Sequence, residues 1–355
     1  KRYVGSGGST RNAALIRSAW FSPEVCNLMR EGVQVWEQLS SELDYNVMFT
    51  QRGAFIVAGT PAQMEFCKEL VSLHNSCRIH TKLLGSAEAM RLVPCFNERE
   101  ILGGIFDAKG GIARHDAVVW AYARAASALG VSIYPQTEVQ AIRVDDGRVR
   151  SVKTSQGEVH ADIVVNAAGG DSKHVGQMVG VELPTYPVRW EAIVTEPIKP
   201  YLDLYVRWPK AGLYVSQTSR GEIAAGIDSH EAPSTEHRCS LAFVKRLSKA
   251  LLSLFPSLER LAVLRQWAGL ISITDDGCPI LGPIPEVDGF LLDCGWYIGF
   301  MTAPIVGRML ARSILEQKTP NLIEPFKCNR FAEGKPISEG STAEKMTRLA
   351  RSKES

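Results

Sequence analysis

The chain is 355 residues long and 45% apolar, enough to bury a substantial core and to form roughly two domains. Its 40 basic and 38 acidic residues leave a formal charge of +2, which argues against a nucleic-acid or anionic-membrane binder. No apolar run approaches the roughly 20 residues of a membrane span, and the first residues lack the apolar centre of a signal peptide. The eight cysteines contain no C-x-x-C pair, so neither a disulfide scaffold nor a zinc site is expected; the reading is a cytoplasmic enzyme with mostly buried thiols and no metal.

Residues 1–18, KRYVGSGGSTRNAALIRS, are rich in small side chains that let backbone pass close to a ligand. Pro23 to Leu39 has the apolar spacing of a helix ending near Ser40–Ser41. GAFIVAGT (53–60) alternates as a short strand, and Pro61–His74 is a helix opened by Thr60 as N-cap. In Gly110–Gly130, His115 sits at the mouth of a helix, with Asp116 as N-cap for the apolar run Val118, Val119, Tyr122, Ala125, Ala126 and Leu129. Free N–H groups and the helix dipole favour an anionic ligand at such a position. A meander follows: 131–144, the turn DDG, 148–155, the turn QGE, then 159–169. Its last strand, Asp162–Asn166, is nearly continuous in apolar residues, as in a buried parallel sheet, and leads to the small-residue turn Asn166–Gly170. The middle region, about 183–270, has strand-like pieces at Glu191–Val194, Gly212–Val215 and Glu222–Gly226 and a helix around Ala242–Phe255. A buried strand, Phe290–Cys294, then runs through Gly295 and Gly299 into a helix at Ile305–Glu316. That helix is expected to begin at Thr302–Pro304, where Pro304 in the first turn costs no needed donor. Beyond Cys328 the composition turns polar, and from about Gly334 a flexible or partner-facing extension is expected.

Five collinear segments carry a resemblance. In Gly110–Gly130, an A-R-H-D core (Ala113–Asp116) is followed by V-x-W-x-x-A-R (Val118–Arg124); the others are Arg11–Ser18, Val35–Gly53, Leu213–Ser229 and Leu291–Phe300. Together they resemble the beta subunit of heterotetrameric sarcosine oxidase, within the FAD-dependent D-amino acid oxidase superfamily. The resemblance implies an α/β (α+β) fold: a Rossmann-like FAD-binding domain from 1–35, 105–182 and 271–330, an antiparallel-sheet substrate domain from 36–104 and 183–270, and a tail over 331–355. Members of that family open with a strand, a glycine-rich turn and a helix that cradle the FAD pyrophosphate. No such unit is recognisable at the start of this sequence, so roughly 50–60 residues are expected to be missing by truncation or supplied by another polypeptide.

The implied function is that of a beta-type catalytic subunit, working with alpha-type and small subunits. It would oxidise a small secondary amino acid, sarcosine or proline-like, to an imine by hydride transfer to FAD, with electrons passing on to FMN at a subunit interface near His115. Arg17 matches the arginine of the family's I-I-R segment and is the expected anchor of the substrate carboxylate, which its planar fork can grip in bidentate fashion. Arg11 contacts the flavin or a structural carboxylate. Gly8, Ser9, Asn12, Val139, Ala168 and Gly169 are the further expected FAD contacts. Gly299, Phe300, Met301 and Thr302 are expected along the isoalloxazine edge, where the helix start supplies positive potential. Met301, the second catalytic-site candidate, stands where the sarcosine-oxidase pattern G-F-K has lysine, so the substrate is left open. The G-F-M-x-A-P variant is similar to that of dye-linked proline dehydrogenase beta subunits. Gly269 occupies the aligned position of the cysteine that binds FAD covalently in single-chain sarcosine oxidases, and FAD is therefore expected to be non-covalent. His115 is implied to carry FMN through an 8α-histidyl bond, or to sit beside FMN held without one, with Arg114 able to pair with its phosphate. Two alternatives stand beside this reading: a D-amino-acid or hydroxyproline dehydrogenase of the same superfamily, and a non-catalytic partner subunit or inactive fragment.

Overall fold

The computed structural model describes residues 2–228 and 233–351; Ser229, which closes the 213–229 segment, and residues 352–355 of the expected tail lie outside the described residues. After a 3-10 turn at Gly8–Thr10 come β1 (Leu15–Ile16), α1 (Pro23–Glu42), β2 (Ala54–Ala58), α2 (Pro61–Ser76), β3 (Thr81–Gly85), α3 (Ser86–Leu92), β4 (Gly103–Asp107), β5 (Gly111–Ile112) and α4 (His115–Ala128). The middle of the chain forms β6 (Val139–Asp145), β7 (Arg148–Thr154), β8 (Gly157–His160), β9 (Val164–Asn166), α5 (Ser172–Gln177), β10 (Tyr186–Pro197), β11 (Tyr205–Trp208), β12 (Leu213–Gln217), β13 (Glu222–Ile227) and α6 (Leu241–Leu254). Last are β14 (Val263–Ile273), β15 (Ile280–Pro283), β16 (Phe290–Cys294), α7 (Gly299–Glu316) and α8 (Glu339–Arg351).

Local chemistry accounts for the helix starts. The Ser22, Thr60 and Ser240 hydroxyls accept from the amides of Val25, Gln63 and Phe243, and Pro23 and Pro61 sit at first helical positions where no amide is needed. An eight-stranded sheet in the order β14-β10-β13-β12-β11-β2-β4-β3 dominates the molecule, antiparallel except where β11 runs parallel to β2. A smaller sheet, β15-β16-β9, contains the parallel pair β16 and β9, and β6-β7-β8 form the meander.

Period-two alternation divides the large sheet between two cores. Phe55, Val57, Val206, Val215 and Ala225 face a core completed by Phe243, Leu247 and Leu251 of α6. Ile56, Ala58 and Ile105 face the other way, into a core with Trp36 of α1 and Ile305 and Val306 of α7. Five cysteines are buried as expected: Cys26, Cys67, Cys77, Cys278 and Cys294. No helix among the described residues is long and apolar enough to cross a membrane.

The structure corrects four local expectations. The meander strand begins only at Val139, paired with Thr154, whereas 131–138 is irregular and leaves Tyr134 exposed. Helix α7 starts at Gly299, so Pro304 lies inside it rather than in its first turn. On α4 the expected apolar run is only partly buried: Val118 is covered, while Leu129 is 87% exposed. Residues 339–351, expected within a flexible extension, form α8, with Met346 and Ala350, one turn apart, both buried.

Helix α8 also fastens the segment that carries Arg17. Glu339 accepts from the Phe21 amide (3.1 Å) and the Ser22 hydroxyl (2.7 Å). On the other side, Asp107 Oδ2 accepts from the Ser18 amide and hydroxyl (both 2.8 Å) and from the Ala19 amide (3.1 Å). His74 Nε2 lies 2.8 Å from the Trp20 carbonyl, so Nε2 carries the proton and Nδ1 accepts from Thr81.

Burial pushes the Glu339 carboxyl up to about 7, against the lowering effect of Ser22, Phe21 and Arg17. A folded pKa above the unfolded one means that the folded state holds an extra proton between about pH 4.5 and 7. Stability from this group therefore falls as pH rises through that window, by on the order of 3 kcal/mol. Glu339→Gln, with the charge removed, should flatten the decline in melting temperature between pH 5 and 8 relative to the parent. Parallel melting-temperature profiles for the two proteins would refute the assignment.

Candidate active site

Cross-strand pairing builds one wall of the site. On the face turned away from α6, the register aligns Ile56, Arg207, Tyr214, Gly226, Ala192 and Trp267 in a row across β2, β11, β12, β13, β10 and β14. The row starts in the core under α1 and α7 and ends at Trp267, whose Nε1 donates to the Arg11 carbonyl (2.9 Å). Trp190, two residues before Ala192, lies on the same face and donates to the Tyr214 hydroxyl at 3.0 Å.

Gly226 is required in this wall, because a Cβ there would fall 2.1 Å from the Tyr214 hydroxyl oxygen. Arg207 makes an ion pair with Asp228 through Nη2, and its Nη1 is buried without a partner. Burial alone would disfavour the Arg207 charge, but Asp228 outweighs that effect and the guanidinium stays protonated. Tyr297, in the loop before α7, reaches Asp228 at 3.4 Å and meets the Trp190 ring edge-on at 5.4 Å. Burial and then Asp228 raise the Tyr214 and Tyr297 phenols, so both are neutral donors. Sequence reasoning missed this cluster. The available signal was Arg207 itself, a cation inside the apolar strand YVRW.

Arg17 approaches from the fastened 17–22 segment. It is 4% exposed, its guanidinium lies 3.8 Å from the Trp20 ring centroid, and its Nη1 is buried without an acceptor. Phe300 and Met301 pack against the same core, with Phe300 5.5 Å from Trp36 and the Met301 carbonyl accepting from Trp36 Nε1 at 2.7 Å. Thr302 is buried and bonds back to the carbonyls of Ile298 and Gly299 (3.2 Å).

The small-residue candidates converge on β14. Arg11 Nη1 donates to the Ala268 carbonyl (3.3 Å), a Cβ on Gly269 would lie 3.2 Å from that of Arg11, and Gly8 and Gly170 both stand against Leu270. Asn12 closes the turn by donating to the Ser9 carbonyl (2.6 Å). Ala168 precedes Gly169, which has φ +62° and open space around it. Val139 opens β6, and nearby Gln136 donates to the Arg2 carbonyl (3.3 Å). Two small-residue turns packed on one strand and a helix start at Gly299 fit a flavin, whereas Val139 pairs with Thr154 in the meander and is not brought to β14.

His115 belongs to a different surface. Helix α4 begins there, with Arg114 as N-cap residue and no side-chain cap; Asp116, expected as the cap, lies inside the first turn. Arg114 grips Asp116 through Nε (2.9 Å) and Nη2 (3.2 Å), because a carboxylate two residues along meets the fork before any outside anion can. Burial pushes the His115 pKa down more than Asp116 raises it, which leaves a neutral imidazole whose buried Nδ1 has no hydrogen-bond partner. Its chain neighbours Arg114 and Asp116, though not His115 itself, line a cleft of about 470 Å³ with Tyr45, Asn46, Met48 and Trp120.

Known proteins resemble this chain over most of its length. A family model described as FAD dependent oxidoreductase, DAO, matches residues 1–313. Sarcosine oxidase subunit beta of Rhodobacter capsulatus is 35% identical over 348 residues, covering 97% of this chain and 84% of the relative. The crystal structure of L-proline dehydrogenase from P. horikoshii superposes with a TM-score of 0.90 at 29% identity, covering 94% of this chain and 90% of that one. Glycine oxidase from Geobacillus kaustophilus gives 0.84 at 25% identity, with 92% and 89% covered. The chain belongs to the DAO family of FAD-dependent oxidoreductases.

Proposed function

We propose that this chain is the FAD-bearing, beta-type subunit of a heteromeric amine oxidoreductase that converts a small secondary amino acid, sarcosine or proline-like, to its imine. The observation that carries the reading is Arg17, a buried guanidinium with a free donor on a segment held by three buried side chains. Such a donor is expensive to leave unused and suits a carboxylate. Gly8, Ser9, Arg11, Asn12, Val139, Ala168, Gly169 and Gly299–Thr302 would hold FAD without a covalent bond, and bound FAD supplies the acceptor for the hydride leaving the substrate carbon. Arg17 fixes the substrate carboxylate, Phe300 and Met301 pack beside it, and Trp190, Tyr214 and Tyr297 form an aromatic wall. The amides at the start of α7 favour negative charge in front of them.

A second flavin, FMN, would sit in the cleft beside His115, covered by alpha-type and small subunits. The neutral imidazole and the exposed Trp120 rim support this. Because Arg114 is committed to Asp116, a phosphate there would need donors from a partner subunit or release of that pair.

Arg17→Ala should retain flavin while kcat/KM for the amino acid falls roughly 30- to 1000-fold, the equivalent of about 2–4 kcal/mol for a charge-assisted contact. An unchanged kcat/KM would exclude Arg17 as the anchor. For the FMN site, acid-precipitated complex should keep yellow flavin on this subunit if the bond to His115 is covalent, and His115→Ala should remove FMN while FAD remains. Full FMN content in His115→Ala would overturn the placement.

A further inference from the structure

The wall built from β11, β12 and β13 has an unused donor of its own. Arg207 projects from β11 into the row between Ile56 and Tyr214, flanked there by apolar and aromatic side chains. Asp228 occupies Nη2, and Asp228 is itself held by the Tyr297 hydroxyl. Tyr297 meets the Trp190 ring edge-on, Trp190 donates to Tyr214, and Tyr214 is held over Gly226. The guanidinium therefore cannot swing to another acceptor, yet Nη1 is left buried with none. On the same face, two residues along β12 from Tyr214, the buried Ser216 hydroxyl also has no partner. A buried donor left without an acceptor is costly, and these two stand on one face of the sheet.

We propose that Arg207 is a second substrate-binding residue, donating its free Nη1 hydrogen bond to the substrate carboxylate from the sheet side while Asp228 holds the fork in place. The proposal rests on the reading of this site as one for an amino acid, and it makes the carboxylate the group gripped from both walls.

The test is a titration of the flavin-loaded complex with acetate, followed by the change in the flavin absorption spectrum, in the parent and in Arg207→Gln. Arg207→Gln should bind acetate at least about tenfold more weakly with unchanged flavin content. Arg207→Lys, which keeps the charge and loses the fork, should be intermediate and decides the matter if the Gln variant does not fold. Asp228→Asn should raise KM more than it lowers kcat, as expected of a positioning residue. Acetate affinity within twofold of the parent in a flavin-loaded Arg207 variant would overturn the proposal. The titration needs no turnover: acetate binding that depends on Arg207, with no oxidation of any secondary amino acid, would leave this anion site standing and reject the proposed substrate.

Discussion

The segment from Arg17 to Ser22 crosses the interior outside any strand, so its buried amides and carbonyls must be satisfied by side chains. Three distant elements do this. Asp107 from the end of β4 takes the Ser18 and Ala19 amides, His74 from α2 meets the Trp20 carbonyl, and Glu339 from α8 takes the Phe21 amide. Each contact is charged or buried, and the loss of any one would strand polar backbone in an apolar core. Arg17 is therefore positioned by the large sheet as much as by its own loop. Asp107 pairs across β4 with Ala54 of β2, and β2 pairs with β11, which carries Arg207. The two arginines are referenced to the same strands, which makes a fixed distance between them a property of the fold.

The sheet itself meets two opposing demands. Its α6 face is largely apolar and gains stability in the ordinary way, by burying Phe55, Val206 and Val215 against Phe243 and Leu247. Its other face changes character along the row, from Ile56 in the core to Arg207 and Tyr214 in the middle and Trp267 beside Arg11. A buried guanidinium is tolerated there only because Asp228 compensates it, and a buried pair of this kind contributes specificity more than stability.

What could be read from the sequence follows from the range over which each feature is determined. Pro61 with Thr60, the strand Phe290–Cys294 and the end of α7 at Glu316 are set by a few neighbouring residues, and they were legible. Arg17 is singled out through its resemblance to a short family segment, and the structure shows it buried. The row that includes Arg207 and Tyr214 joins positions 56 to 267 through strand order, which no local pattern encodes. Helix α8 was missed because a mostly polar composition hides a narrow apolar stripe at Met346 and Ala350, and the partner for that stripe lies near Gln63 and Thr60 of the α2 start. The strand expected over 131–138 failed for the reverse reason. Its apolar residues suit a sheet, but the ladder to β7 begins only at Val139.

The small residues at the beginning of the chain tie these parts together. Gly5 has φ +87°, and a Cβ there would fall 2.9 Å from the Thr10 side chain and 3.3 Å from Val119 on α4. A larger residue would therefore push α4, and His115 at its start, away from the 5–10 turn. A few residues on, Arg11 reaches β14, and Arg17 enters the fastened segment. Movement of α4 would thus be felt first at Gly5–Thr10, between His115 and Arg11. The coupling between those two places would run through backbone packing rather than through a charge, because the Arg114–Asp116 pair keeps its charges to itself at the mouth of the helix.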